Sequence, residues 1–137
     1  MTDTIFAQAT AHGRAGVAVI RVSGPECGAI SSALLNQPWE QRQHRLATLG
    51  VLREPGTEAV IDEVLSLSFQ APHSFTGEDV LELQCHGSLG VVSWILDVLA
   101  SLNYVREAGA GEFSRRALAN GKMSILETEQ LRSPLLL

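Results

Sequence analysis

Three charged side chains stand where their types are unexpected. Arg21 interrupts the apolar run Val19-Ile20-Arg21-Val22, and Glu82 sits between Leu81 and Leu83. A charge inside a strand either faces solvent or holds a partner. For Arg21 the two readings are an outward-facing strand arginine and a ligand contact at the strand end, just before Ser23-Gly24. Glu82 divides the same way, into a surface position on a half-exposed strand or a carboxylate on a cavity wall. Such a carboxylate accepts two parallel N–H bonds from an amidine-like edge, a grip suited to a pterin or guanine ring. Lys122 is the third. It is the only lysine in the chain, follows Asn120-Gly121, and presents a compact ammonium rather than a guanidinium.

The remaining charges are grouped. Arg115, Arg116 and Lys122 lie close together with Glu112 beside them, whereas residues 54–82 carry seven acids and no lysine or arginine. Most of those seven are expected on a solvated face. His86-Gly87 stands where a strand passes into a helix, so its N–H groups either face an anion or merely close a tight connection. Other chemistries lack their residues. Gly121-Lys122 is followed by Met123 and preceded at the P-loop position by Arg116, and Gly109-Ala110-Gly111 lacks the third glycine of a dinucleotide fingerprint. The four histidines are scattered, no Cys-x-x-Cys occurs, and there is no Gly-x-Ser-x-Gly elbow. Neither a bound nucleotide nor a metal is therefore expected in this chain.

The elements that must position these residues are legible as periodicities. Residues 4–9 and 17–22 are short, β-branched and bounded by glycine, the pattern of strands. A loop with two glycines, residues 10–16, joins them. Ser23-Gly24-Pro25 opens a helix running to about Leu35, with proline in its first turn. Residues 44–53 and 60–69 form a hairpin around Glu54-Pro55-Gly56-Thr57. Residues 78–85 are a further strand, with Leu81, Leu83 and Cys85 on one face and Val80, Glu82 and Gln84 on the other. Ser88 to Leu102 carries a helical apolar stripe that includes Trp94. A short strand at 104–106 and a helix at 112–119 follow, the latter ending at Asn120-Gly121. A last helix is expected over 124–132. Hairpins mixed with helices predict an α+β fold with a mixed, mostly antiparallel sheet and flanking helices.

Composition narrows the class. The chain has 137 residues, 45% hydrophobic and 18% charged, which suits one packed domain rather than a disordered segment. A net charge of −5 argues against broad, charge-driven nucleic-acid binding. No apolar run is long enough to span a bilayer, so no membrane association is expected. Met1-Thr2-Asp3-Thr4 shows no basic region followed by an apolar one, so no secretory signal is expected. Cys27 and Cys85 are expected as reduced, core-filling thiols of a cytoplasmic protein.

Three blocks carry a family likeness. Asp3-Thr4-Ile5, Gly13-Arg14-Ala15-Gly16-Val17 and Ile20-Arg21-Val22-Ser23-Gly24-Pro25 form the first. Ser74-Phe75-Thr76-Gly77-Glu78-Asp79-Val80-Leu81-Glu82-Leu83 with His86-Gly87 forms the second, and Gly111-Glu112-Phe113-Ser114-Arg115-Arg116-Ala117 with Asn120-Gly121-Lys122 the third. In order and spacing they resemble the N-terminal domain of the bacterial tRNA-modification GTPase family called MnmE or TrmE. The sequence departs from the family pattern at Ala11-His12, Ala18, Ser88 and Ala110.

The resemblance implies an N-terminal domain over residues 1–122, with 123–137 beginning a truncated connection to a helical domain. It implies a fold related to folate-binding aminomethyltransferase domains, a homodimer, and a reduced folate of the 5-formyl-tetrahydrofolate type held by Arg21, Glu82 and Lys122. In the family the whole protein is a GTPase. With an FAD-dependent partner, MnmG (GidA), it modifies C5 of the tRNA wobble uridine. GTP hydrolysis does not carry over to this chain, which lacks the P-loop, and tRNA is expected to be met only through the full complex. Two other readings remain open at this point: an assembly module without ligand, and a stand-alone aminomethyltransferase-like one-carbon enzyme.

Overall fold

The computed structural model describes residues 3–10 and 16–122. Its elements in chain order are β1 (Thr4–Gln8), β2 (Val17–Ser23), α1 (Cys27–Leu35), a single 3-10 turn (Trp39–Gln41), β3 (Thr48–Arg53), β4 (Val60–Phe69), β5 (Val80–His86), α2 (Leu89–Ser101), β6 (Val105–Glu107) and α3 (Glu112–Ala119). The fold is α+β, as the mixture of hairpins and helices predicts. The expected helix over 124–132, the junction at 123–137 and most of the loop between β1 and β2 lie outside the described residues.

The six strands make one sheet in the order β3-β4-β5-β2-β1-β6. Every neighbouring pair is antiparallel except β1 with β6. Strand β5 runs parallel to β6 with β2 and β1 between them, and such a connection requires a crossover. Helix α2 supplies it. Ser88 caps α2 by accepting the Val91 N–H at 3.2 Å, which satisfies one of the unpaired donors of the first turn.

Alternation along the strands divides the core. Phe6, Ile20, Val22, Leu81, Leu83 and Cys85 point to one face, where Ile30 and Leu34 of α1 and Ile95 and Leu99 of α2 bury them. Ile5 and Ala7 point to the other face and meet Phe113 of α3. Helices α1 and α2 thus cover one side of the sheet, and α3 covers the β1 end of the opposite side.

Several boundaries differ from the sequence expectation, each for a physical reason. Helix α1 begins at Cys27, and Pro25 stays outside it. The Glu26 N–H donates to Thr4 Oγ1 at 2.8 Å, so the preceding turn is anchored on β1 instead of continuing the helix. Gly24 makes that turn at φ +137°, with the Thr4 Cα only 2.6 Å from where a Cβ would stand. Strand β3 begins at Thr48 rather than at 44, because Arg45 adopts a left-handed backbone with φ 70°. Strand β5 begins at Val80, since Glu78 and Asp79 are engaged in loop contacts.

The largest correction concerns the acids of residues 54–82. Only Glu58 and Glu63 are exposed. Glu54 accepts from the Trp94 indole at 2.9 Å, Asp79 from the Ala71 N–H at 2.8 Å, and Glu78 pairs with Arg116. Asp62 accepts both the backbone N–H and the ring Nδ1 of His86, at 2.8 and 2.7 Å. The segment is therefore mostly bound carboxylates, not a solvated face. The same contacts decide His86-Gly87: its N–H groups go to Asp62 and to the Gly16 carbonyl, so the pair is a tight connection. Cys27 and Cys85 are buried free thiols. Burial raises both, Cys85 to about 11, which keeps them protonated core fillers.

Candidate functional site: a polar and aromatic hollow on the open sheet face

Strands β2 and β5 pair so that Arg21 lies directly opposite Glu82. Arg21 Nε donates to Glu82 Oε2 at 2.8 Å, with the two side chains 25% and 17% exposed. Both strand charges thus satisfy each other on the face that α3 only partly covers. Two rings flank the guanidinium: its carbon lies 5.9 Å from the Phe75 ring centre and 6.0 Å from that of Phe113, within the range of cation–π attraction. Phe113 is buried in the second core, while Phe75 is substantially exposed.

Glu82 opens onto a hollow of about 450 Å³, lined also by Arg45, Phe69, His73, Ser74, Phe75 and Val80. That volume lies in the usual range for a small-molecule site. The segment 70–79 forms one rim. Ser74 Oγ donates to the Glu78 carbonyl at 2.5 Å, and Asn120 at the end of α3 donates to the Thr76 carbonyl at 2.7 Å. Arg21 uses only one carboxylate oxygen of Glu82. Among the described residues the other, Oε1, has no hydrogen-bond donor, so it is available to a ligand.

Of the three residues singled out in the sequence, Arg21 and Glu82 are brought together. Lys122 is exposed at the turn after α3, where its N–H donates to the Ala117 carbonyl at 2.8 Å, and it is not among the residues lining this hollow. Its link to the site is indirect, through the Asn120–Thr76 bond two residues earlier. The sequence pattern does not single out Arg45, His73, Phe69 or Phe75, which line the hollow with Glu82. Arg45 fell inside an expected strand, and nothing in the pattern marks its left-handed turn. Phe75 had a signal in the Ser74–Leu83 block.

A larger hollow, about 610 Å³, lies between the end of α1 and the β3–β4 hairpin, beside Asn36, Gln37, Arg53 and Glu54. It is the weaker candidate. No aromatic ring lines it, and Glu54 is already held by Trp94 and Thr57.

The chain is thus a small α+β module whose open sheet face carries the Glu82 carboxylate, the rings of Phe69 and Phe75 and the Arg45 guanidinium around one hollow. Known proteins are similar to it in sequence. The family model described as "GTP-binding protein TrmE N-terminus" matches residues 4–122, and the chain belongs to that family. It is 47% identical over 129 residues to the tRNA modification GTPase MnmE of Roseobacter denitrificans, covering 94% of this chain and 29% of that protein. The MnmE of Sinorhizobium medicae is 48% identical over 130 residues, covering 95% and 29%. A human relative, the mitochondrial 5-taurinomethyluridine-[tRNA] synthase subunit GTPB3, is 45% identical over 128 residues, covering 93% and 26%. The chain therefore spans less than a third of the length of these relatives. Among the described residues no helix is long and apolar enough to cross a membrane.

Proposed function

We propose that this chain is the reduced-folate-binding and homodimerising domain of a cytoplasmic tRNA-modification GTPase. In that role it contributes to C5 modification of the wobble uridine alongside an FAD-dependent MnmG-type partner. The observation that carries folate binding is Glu82: a carboxylate oriented by Arg21, with one oxygen unengaged among the described residues, on the wall of a hollow that also presents Phe69 and Phe75. Such a carboxylate matches the adjacent N–H donors of a pteridine edge, and the rings offer it flat apolar contact. Lys122 belongs to the ligand end nearest α3, where the Asn120–Thr76 contact brings the helix end to the rim.

Calorimetric titration with 5-formyl-tetrahydrofolate tests the assignment. Glu82→Ala is expected to keep the fold and weaken binding by roughly 1.5–3 kcal/mol, the range for a hydrogen bond to a charged group. Unchanged affinity in Glu82→Ala overturns it.

Dimerisation has its own support. Leu49, Leu65 and Val17 are 62%, 41% and 55% exposed and line one shallow hollow on the open sheet face. Contiguous exposed apolar side chains on a small domain mark an interaction surface. Light scattering is expected to give twice the chain mass for the unaltered protein and a monomer for Leu49→Lys/Leu65→Lys. A monomeric unaltered chain removes this part of the reading.

A further inference from the structure

The Glu82 hollow has a second polar end. Arg45 lines it together with His73, and among the described residues the Arg45 side chain has no carboxylate or other hydrogen-bond partner. Its position is built rather than incidental. The Arg45 N–H donates to the Ser68 carbonyl at 2.7 Å, and the neighbouring His44 Nδ1 bonds Ser68 Oγ at 2.8 Å. His44 in turn rests on Trp39, ring centres 4.8 Å apart. These clamps hold Arg45 at φ 70°, a left-handed conformation that a side-chain-bearing residue adopts at a cost and keeps only where its surroundings enforce it.

Sheet order gives the separation. Arg45 is bound to β4 at Ser68 on the side of β3, while Glu82 lies in β5 on the other side of β4, opposite Leu67. Two strand spacings separate the backbones, roughly 10 Å, before the reach of the arginine side chain. Charge points the same way. Glu82 is neutralised by Arg21, so Arg45 leaves the hollow net positive in a chain of net charge −5. A ligand that suits it offers hydrogen-bond donors at one end and a fixed anion at the other.

We infer that Arg45, which lines the hollow together with His73, binds the carboxylates of a folate's glutamyl tail while Glu82 holds the pteridine. The inference rests on the folate reading above and adds to it a basis for discriminating tail-bearing folates from bare pterins. A guanidinium fork suits a carboxylate in two-bonded geometry.

The test titrates the full chain and its Arg45→Gln and Arg45→Lys variants with three probes. These are 5-formyl-tetrahydrofolate, 6-methyl-tetrahydropterin, which has no tail, and p-aminobenzoyl-triglutamate, which has no pterin. Thermal melts check that the variants fold. Arg45→Gln is expected to weaken the folate about 10-fold, one charged hydrogen-bond pair at this partly exposed site, and to leave the tail-less pterin unchanged. Arg45→Lys is expected to restore part of the loss. Equal effects on folate and pterin, or none on either, overturn the tail assignment while leaving the folate reading intact. If the unaltered chain binds no folate but holds the triglutamate through Arg45, the anion site stands and the folate reading falls. Binding of no probe removes both.

Discussion

Two charge clusters share the open face of the sheet, and they are built to opposite rules. Around Arg116 every group is engaged. Its Nη1 donates to the Asp3 carbonyl at 2.6 Å and to Glu78 at 3.1 Å, and its Nη2 to Asp3 at 2.7 Å and Glu112 at 3.1 Å. Glu78 also accepts from Ser23 Oγ, which contacts Thr76 Oγ1, both at 2.7 Å. Arg106 closes the outer side, 2.5 Å from Asp3 and 2.6 Å from Glu112. Around Glu82 the valences are left open: among the described residues one carboxylate oxygen has no donor and Arg45 has no anion. A saturated cluster has nothing left for a ligand and serves to fix the chain. It joins the start of β1, the segment 70–79 and α3. The unsaturated one can recognise a ligand because the saturated one holds its rim in place.

The sharpest way to break this contrast is to remove the centre of the saturated cluster. Arg116 is only 8% exposed, and Glu78 and Glu112 are 11% and 14% exposed. Arg116→Met leaves both carboxylates poorly solvated, and losing one partner of such a set costs about 3–5 kcal/mol. Urea denaturation is expected to show that loss, with faster amide exchange over residues 70–79. A change below about 1 kcal/mol would place Arg116 among ordinary surface ion pairs.

Acid attacks the same cluster from the other side. Arg106, hydrogen-bonded to Glu112, is the main cause holding that carboxyl at about 2 against an ordinary 4.5, with help from the Gly109 N–H and Arg116. Asp3 is lowered as well, chiefly by Arg106. A carboxyl lowered by folding stabilises the fold fully above its unfolded value and loses that contribution as pH falls toward the folded value. Stability is therefore expected to drop as pH falls from 4.5 to 2. For Glu112 the loss is on the order of 2 kcal/mol once the half-exposed Arg106 is discounted for solvent screening. Urea midpoints across that range measure it, and Glu112→Gln should flatten the profile. An unflattened profile assigns the acid lability to other carboxyls.

The clusters also differ in how much of them is legible in the sequence. Strand periodicity placed Arg21 and Glu82 on polar faces, and the order of strands and helices followed from turn residues and apolar stripes. Those signals are local. The roles of Glu78 and Arg116 are not local, since the partners lie 38 residues apart and their bond depends on α3 folding back over β1. Counting acids over 54–82 therefore suggested a solvated face where the fold makes bonds. Arg45 was hidden for another reason. Its left-handed turn is imposed by Ser68 and His44, tertiary partners that outweigh its strand-like neighbours.

Gly77 couples the two clusters. It has φ +83°, and a Cβ there would stand 2.9 Å from the Asn120 Cβ. Gly77→Ala combines left-handed strain with a clash against the end of α3, at about 1–2 kcal/mol. Because the loop it displaces carries Phe75, folate affinity is expected to fall together with the melting temperature. A stability loss with unchanged affinity would separate the rim from the binding reading.

Glu82→Gln gives the smallest stability change and the most specific one. Its pair with Arg21 is partly exposed, and such pairs contribute at most about 1 kcal/mol. The amide keeps an oxygen acceptor for Arg21 and nearly the same volume, so the melting temperature should stay close to that of the unaltered chain. The pteridine edge, however, loses a carboxylate and faces an N–H₂ group in its place, and binding should weaken by 10-fold or more, the difference made by a charge-assisted hydrogen bond. Arg116→Met does the reverse, with a large loss of stability, and affinity should follow only through the disordered rim. If Glu82→Gln instead destabilises the fold as strongly as Arg116→Met, the open valences of Glu82 are not spare capacity. The two clusters would then be one structural network, with the hollow merely its surface.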